Sequence, residues 1–224
     1  MSTTPIQLSQ LEPFSKGGNR LCFVSPDDPN ICLKVHQPER TPKLRRQRKS
    51  FPANLRPLVF FDENLQEHRS LQRHHNACPD AICRHLPATS GIVDTDLGNA
   101  HAMGLVRDEN GLISQTIELY LWENGMDSRL TRALNAFRRD WMTAPPRSRD
   151  LLPHNLVLQL SADDSVIIII DGYGRAPKSS FFGYASQRQT ERRFSKLDAR
   201  LKEVERRKQE NNPKERLQNL NRHL

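Results

Sequence analysis

Apolar residues stand in short blocks through the first hundred positions and then fall into spacings of three and four. The chain therefore predicts strands first and helices after. Leu21-Cys22-Phe23-Val24 and Ile31-Cys32-Leu33-Lys34-Val35 are strand-like runs flanking Ser25-Pro26-Asp27-Asp28-Pro29-Asn30, a strong turn signal. The stretch before them, Pro13 to Arg20, reads as a turn-rich loop between strands. Residues 36–61 are interrupted by prolines and read as an irregular insertion. Asp62 is placed to cap a helix around 63–75, starting at Glu63 and ending near Asn76, with Glu67 and Leu71 on one face. Gly91-Ile92-Val93-Asp94-Thr95 and Ala102-Met103-Gly104-Leu105-Val106 predict two more strands around the turn Asp96–Asn99.

The polar run Arg107–Gly111 is the best interior boundary. Beyond it, Thr116–Glu123 reads as a helix. Ser128 is expected to cap a longer one, whose Leu130, Leu134, Phe137 and Trp141 make one apolar stripe. Pro145-Pro146 ends that helix. Two short strands, Leu156–Leu158 and Val166–Ile170, come next. From about Gln187 the tail is helical, with Phe194, Leu197, Leu201 and Val204 on one stripe. Asn211-Asn212-Pro213 interrupts it before Leu217, Leu220 and Leu224 resume. Strands with one helix, then a linker, then helices with two strands predict an α+β chain in two lobes around a cleft. The expected partition is 1–106 for a small antiparallel β lobe, 107–186 for a reduced, mostly helical lobe, and 187–224 for a basic helical tail.

With 224 residues and 36% hydrophobic content, the chain can fill one sizeable core or two small lobes. No apolar run is long enough to cross a bilayer, and Met1–Pro5 lacks the charged start of a signal peptide, so the expected location is cytoplasmic. The formal charge of +8 favours anionic partners. The excess is concentrated in Arg40, Lys43, Arg45, Arg46, Arg48 and Lys49, and again between Arg188 and Arg222. Such runs are more often solvated faces than sites. No aromatic interleaving accompanies them, so no specific nucleic acid is expected, while peripheral contact with anionic surfaces stays open. Cys22 and Cys32 are expected to face each other across a hairpin. A disulfide between them is unexpected in a reducing compartment, and all four cysteines, Cys78 and Cys83 included, read as small buried apolar groups.

Candidate chemistry lies in polar residues at the edges of apolar runs. Lys34 sits inside a strand, where a charge must find a partner or face a cleft. Glu67 is its expected partner, with Glu63, one turn earlier, as the rival. Asp150 precedes Asn155 by five positions, and Asp171 leaves the end of Val166–Ile170. Phosphoryl transfer from ATP needs a cation on the phosphates, two Mg²⁺ ligands and a carboxylate beside the attacking hydroxyl. In that reading Lys34 holds the phosphates, Glu67 orients Lys34, Asp150 is the base, and Asn155 and Asp171 bind Mg²⁺. Gly17 and Gly18 cover the phosphates, although Ser15-x-Gly17-x-x-Arg20 keeps only the middle glycine of a glycine-rich loop. Arg20 adds a cation there and also crowds the site. Cys22 is expected beside the nucleotide, and Met103 to Arg107 form the hinge against adenine.

The residues Gly17–Phe23, Cys32–Val35, Glu67 with Leu71, Val93-Asp94-Thr95-Asp96-Leu97-Gly98, Leu152-Pro153-His154-Asn155 and Asp171-Gly172-Tyr173-Gly174 resemble the YrbL family of bacterial proteins, named for the PhoP regulatory network. The resemblance, over about Phe14 to Ser180, implies a protein-kinase-like fold and a nucleotide site, with no settled substrate. Against protein kinases, Ser148 replaces the His of H-R-D, Leu152 the catalytic-loop Lys and Gly172 the Phe of D-F-G. These departures point away from protein substrates and toward a small-molecule, sugar or lipid-linked hydroxyl. The alternative is a pseudokinase, a nucleotide-binding regulatory protein in a bacterial stress response.

Overall fold

The computed structural model describes residues 4–145, 151–162, 164–172, 186–213 and 222–224. Strands β1 (Ser15–Lys16), β2 (Arg20–Val24), β3 (Ile31–His36), β4 (Thr89–Val93) and β5 (Ala100–Gly104) form an antiparallel sheet in the order β1-β2-β3-β5-β4. Between β3 and β4 lie α1 (Pro42–Gln47), α2 (Glu63–Ala77) and α3 (Asp80–Cys83). A three-stranded antiparallel sheet follows, with β6 (Gln115–Thr116), β7 (Leu156–Gln159) and β8 (Val166–Ile169) in that order. It is accompanied by α4 (Ile117–Asn124), α5 (Ser128–Thr143) and α6 (Gln187–Gln209). The molecule is thus α+β in two lobes, as its segregated pattern implies.

Period-two alternation in β3 decides which side chains reach the cleft. Leu33 and Val35 join Leu8, Phe23, Ala100 and Ala102 in a core on one face of the first sheet. Lys34 must then project from the other face, along with Cys32. The N-terminal segment covers the Leu33 face because Asp96 accepts from the amides of Leu8 and Ser9 at 2.7 and 3.1 Å. The run Asp94–Gly98 is therefore an anchor for that segment, and its turn relies on Gly98 at φ 100°. In the second lobe, Phe137 and Trp141 of α5 pack at 5.2 Å between ring centroids, and Phe194 of α6 meets Phe137 at 5.9 Å.

Several local expectations are revised. The segment read as a loop up to Arg20 contains β1, and the insertion 36–61 holds α1 and three short 3-10 turns. Asp127, not Ser128, caps α5 by accepting from the Leu130 amide at 2.8 Å. Cys22 lies opposite Lys34, and Cys32 opposite Val24, so the two thiols are diagonal and remain free. Cys78 and Cys83 form a disulfide, because the helical turn after Pro79 brings their Cα atoms to 6.1 Å. Of the four, Cys32 alone is buried. Arg107–Gly111 doubles back on itself instead of linking freely. Asp108 is buried there and accepts from the Ser114 hydroxyl at 2.6 Å and from Arg222 at 2.7 Å.

Candidate active site

Helix α2 begins where Asp62 accepts from the Leu65 amide at 3.1 Å, and its apolar residue Leu71 packs into the core of the second lobe. Asn64 locks the helix to the sheet. Its side-chain amide donates to the carbonyls of Lys34 and Asn99 at 2.9 and 3.0 Å, a role its sequence position does not signal. With that register fixed, Glu67, one turn after Glu63, faces Lys34. The Lys34 ammonium donates to Glu67 at 2.9 Å, and both side chains are buried. The rival Glu63 is engaged elsewhere, by Arg45 at 2.8 Å and by the Asn19 amide at 3.2 Å.

The β7–β8 ribbon pairs Leu156 with Ile169, so the residues just outside it meet at its end. The Ile170 amide donates to the Asn155 carbonyl at 2.8 Å, which sets Asn155 beside Asp171. Lys34 also donates to the Ile170 carbonyl and so bridges the two lobes. Asp171 lies two residues past β8 and accepts from its neighbour, the Gly172 amide, at 2.6 Å. Asp150 lies outside the described residues.

Arg20 completes the cluster. Its guanidinium is buried, pairs with Glu67, and reaches Asp171 at 2.8 Å. Two cations and two carboxylates thus share one site. Burial works against the ionised form of Asp171, yet Arg20 and then Lys34 hold its carboxyl well below the usual carboxylate range. Burial likewise opposes the charge on Lys34 more strongly than any other single cause, but Glu67, with Asp171 and Cys22, overcomes it and raises that ammonium. His101, opposite Lys34 on β5, is buried; burial and the charges of Lys34 and Arg20 push it down to about 3. It stays neutral behind the ion pairs. The Arg20 contact was legible only as a cation near the phosphates, because its two carboxylate partners come from distant segments.

Gly17, Gly18, Arg20, Lys34, Glu67, Asn155 and Asp171 all line one cleft of about 460 Å³. Neither glycine is needed for space. A Cβ at Gly18 would meet nothing within 4 Å, and one at Gly17 would meet only the Arg20 carbonyl at 3.6 Å. Beside the cleft lies a smaller slot walled mainly by apolar groups, including Phe14, Cys22, Cys32, Met103, Val157 and Ile170. Cys22, Lys34 and Ile170 border both spaces. Met103 is a buried residue of β5 and contributes its side chain to the slot; the connection between lobes begins only after Gly104.

A family-wide sequence profile described as PhoP regulatory network protein YrbL matches residues 6–202. The chain belongs to the YrbL family. The YrbL proteins of Escherichia coli (strain K12) and Shigella flexneri are each 22% identical to it over 204 residues, covering 87% of both chains. Among solved structures, it is similar to the Rio2 kinase from Chaetomium thermophilum, in an ADP/Mg²⁺-phosphoaspartate complex, with a TM-score of 0.40 and 12% identity. That match covers 91% of this chain, which spans 58% of the kinase chain. A likeness this distant says nothing about activity. No helix among the described residues is long and apolar enough to cross a membrane.

Proposed function

We propose that this YrbL-family protein binds Mg–ATP in the cleft between its lobes and transfers a phosphoryl group to a hydroxyl of a small-molecule, sugar or lipid-linked acceptor. One observation carries the reading. Lys34, Glu67, Asn155 and Asp171, from four separate segments of the chain, line a single cavity, and an apolar slot opens beside it. The residues fit the nucleotide. The slot suits a base, whereas the lysine, the arginine and the glycine turn suit phosphates. Among the described residues no cluster of three or more His, Cys, Asp or Glu could hold a metal alone. That suits Mg²⁺, which is commonly held by one or two protein oxygens together with substrate phosphates.

In this reading bound Mg–ATP would supply the phosphoryl group and leave as ADP, and Asn155 and Asp171 would hold the ion. Lys34, fixed by Glu67, neutralises phosphate charge. Asp150 accepts the proton of the attacking hydroxyl. Arg20 must release Asp171, or share it, when the cleft fills, since its guanidinium lies against one carboxylate oxygen. That contact also favours a second reading, a nucleotide-binding regulator without turnover, because Arg20 already pairs with both Glu67 and Asp171.

A thermal-shift titration with Mg–ATP, followed by a search for phosphorylated product, tests the proposal. Wild type is expected to be stabilised by about 2.7 kcal/mol at a hundredfold excess of nucleotide over Kd. Lys34→Met and Asp171→Asn variants are expected to lose that gain. No stabilisation of folded wild type defeats the nucleotide reading. Stabilisation without turnover, unchanged by Asp150→Asn, selects the regulator.

A further inference from the structure

Outside the cleft, the most unusual surface belongs to the insertion between β3 and α2. Residues 36–61 hold seven lysines and arginines, from Arg40 to Arg56, against one acid, Glu39, and so supply six of the chain's eight excess positive charges. Among the described residues, Arg45 alone of the seven is ion-paired. The same segment carries the two most exposed large hydrophobic side chains described, Phe51 at 77% and Leu55 at 71%, with Leu58 close by in sequence at 43%. They stand on or beside short turns and line neither of the two cavities.

Unneutralised cations and bare apolar side chains make different demands. Duplex nucleic acid answers the cations but offers no apolar layer to Phe51 and Leu55. An anionic bilayer surface answers both, with acidic headgroups for the cations and hydrocarbon just beneath them. It also requires no matched groove. We propose that the insertion docks the protein peripherally on anionic lipid, with Phe51 and Leu55 dipping below the headgroups.

The position of the insertion gives the docking a consequence. Arg45 and Phe60 line the cleft, and the Gln66 amide of α2 donates to the carbonyls of Val59 and Phe60 at 3.1 and 2.7 Å. The same segment therefore supplies both the lipid-facing side chains and part of the cleft wall, so docking keeps the cleft close to the bilayer surface. The acceptor class then narrows to a hydroxyl carried by a lipid headgroup or a lipid-linked sugar. This narrowing rests on the phosphotransfer reading; the docking itself does not.

The test is sedimentation of the full chain with phosphatidylcholine vesicles, with and without phosphatidylglycerol, at low and high salt. Binding is expected only to the anionic vesicles and is expected to weaken with salt. A Phe51→Ser/Leu55→Ser variant is expected to lose roughly tenfold or more in partitioning, with its melting temperature and its response to Mg–ATP unchanged. Nucleotide stabilisation is read without vesicles, so either reading can fail alone. The docking is overturned by absence of binding to anionic vesicles, by equal binding of the double variant, or by duplex DNA of equal phosphate content being bound as tightly.

Discussion

Around Phe137, the second lobe buries Trp141, Phe194, Leu197 and Leu201 in an apolar cluster, whereas the cleft face of the first lobe buries Arg20, Lys34, Asn64, Glu67 and His101. Both sets of side chains are buried, and they are held together differently. In the second lobe, burial of apolar area is itself the driving force. In the first, Glu67 and two cations must be stripped of water while Asp171 stays half-exposed at the cleft, and the mutual attraction of these groups roughly offsets the cost. A cluster that contributes so little net stability, retained on the wall of a cavity, is better explained by what it is able to hold. The same argument separates His85 from His101. His85 contacts Asp140 at 3.3 Å and packs on Phe137, as support for a core. His101 lies behind Lys34 as a neutral spacer.

The contrast is broken or sharpened most directly by substitution in each region. Phe137→Ala is expected to cost about 3–5 kcal/mol of unfolding free energy. Replacing the pair as Lys34→Met/Glu67→Leu leaves Arg20 with Asp171. It is expected to leave stability unchanged or raise it by about 1–4 kcal/mol, while nucleotide binding disappears. Urea denaturation with and without Mg–ATP measures both. A double variant as unstable as Phe137→Ala would mean that the charged cluster is itself a structural keystone.

Acid is the next lever. The folded-state value of His101 is depressed from its ordinary 6.5 to about 3. Its neutral form therefore contributes stability that is fully present above about pH 6.5 and is lost as pH falls toward the folded value, by at most about 1.4 kcal/mol per pH unit. Asp171 is also depressed, so its contribution is present above its unfolded value near 4 and fades only below that. Wild type is expected to lose melting temperature steadily below pH 6.5. In His101→Gln that decline is expected to be shallower until about pH 4. Identical slopes for the two proteins would move the acid sensitivity elsewhere.

Much of this arrangement is legible in the residues because alternation is a strong constraint. Leu33 and Val35 commit one face of β3 to a core, and Lys34 has to take the other. The α5 stripe of Leu130, Leu134, Phe137 and Trp141 reads just as directly. What does not read are choices between near-equal local partners and contacts between distant segments. Asp127 and Ser128 are both good caps, and only the backbone geometry selects Asp127. Asp96 looks like a turn former, and its clamp on Leu8 and Ser9 appears only once the N-terminal segment lies alongside β4. Asn64 is an ordinary polar residue in sequence, and Arg20 reads only as a cation near the phosphates. Each becomes informative through partners brought close by the sheet and the ribbon. The pairing of Arg222 with Asp108 and Ile113 is equally invisible along the chain.

The gentlest probe needs no substitution. Cys22 borders both the cleft and the apolar slot and lies opposite Lys34. A hydrogen bond with Cys32 lowers its thiol to about 7 against the effect of burial, with help from Lys34 and Arg20. Cys32 is pushed up by that same bond and by burial. Cys78 and Cys83 are tied to each other. Iodoacetamide should therefore alkylate Cys22 selectively, with a rate that climbs through neutral pH as the thiolate forms. If nucleotide fills the slot, saturating Mg–ATP is expected to slow that labelling roughly tenfold, in line with its occupancy of the site. Peptide mapping by mass spectrometry follows the modified cysteine. Labelling of Cys22 that is selective but indifferent to Mg–ATP would keep the electrostatics of the cluster and remove the nucleotide from the space beside it.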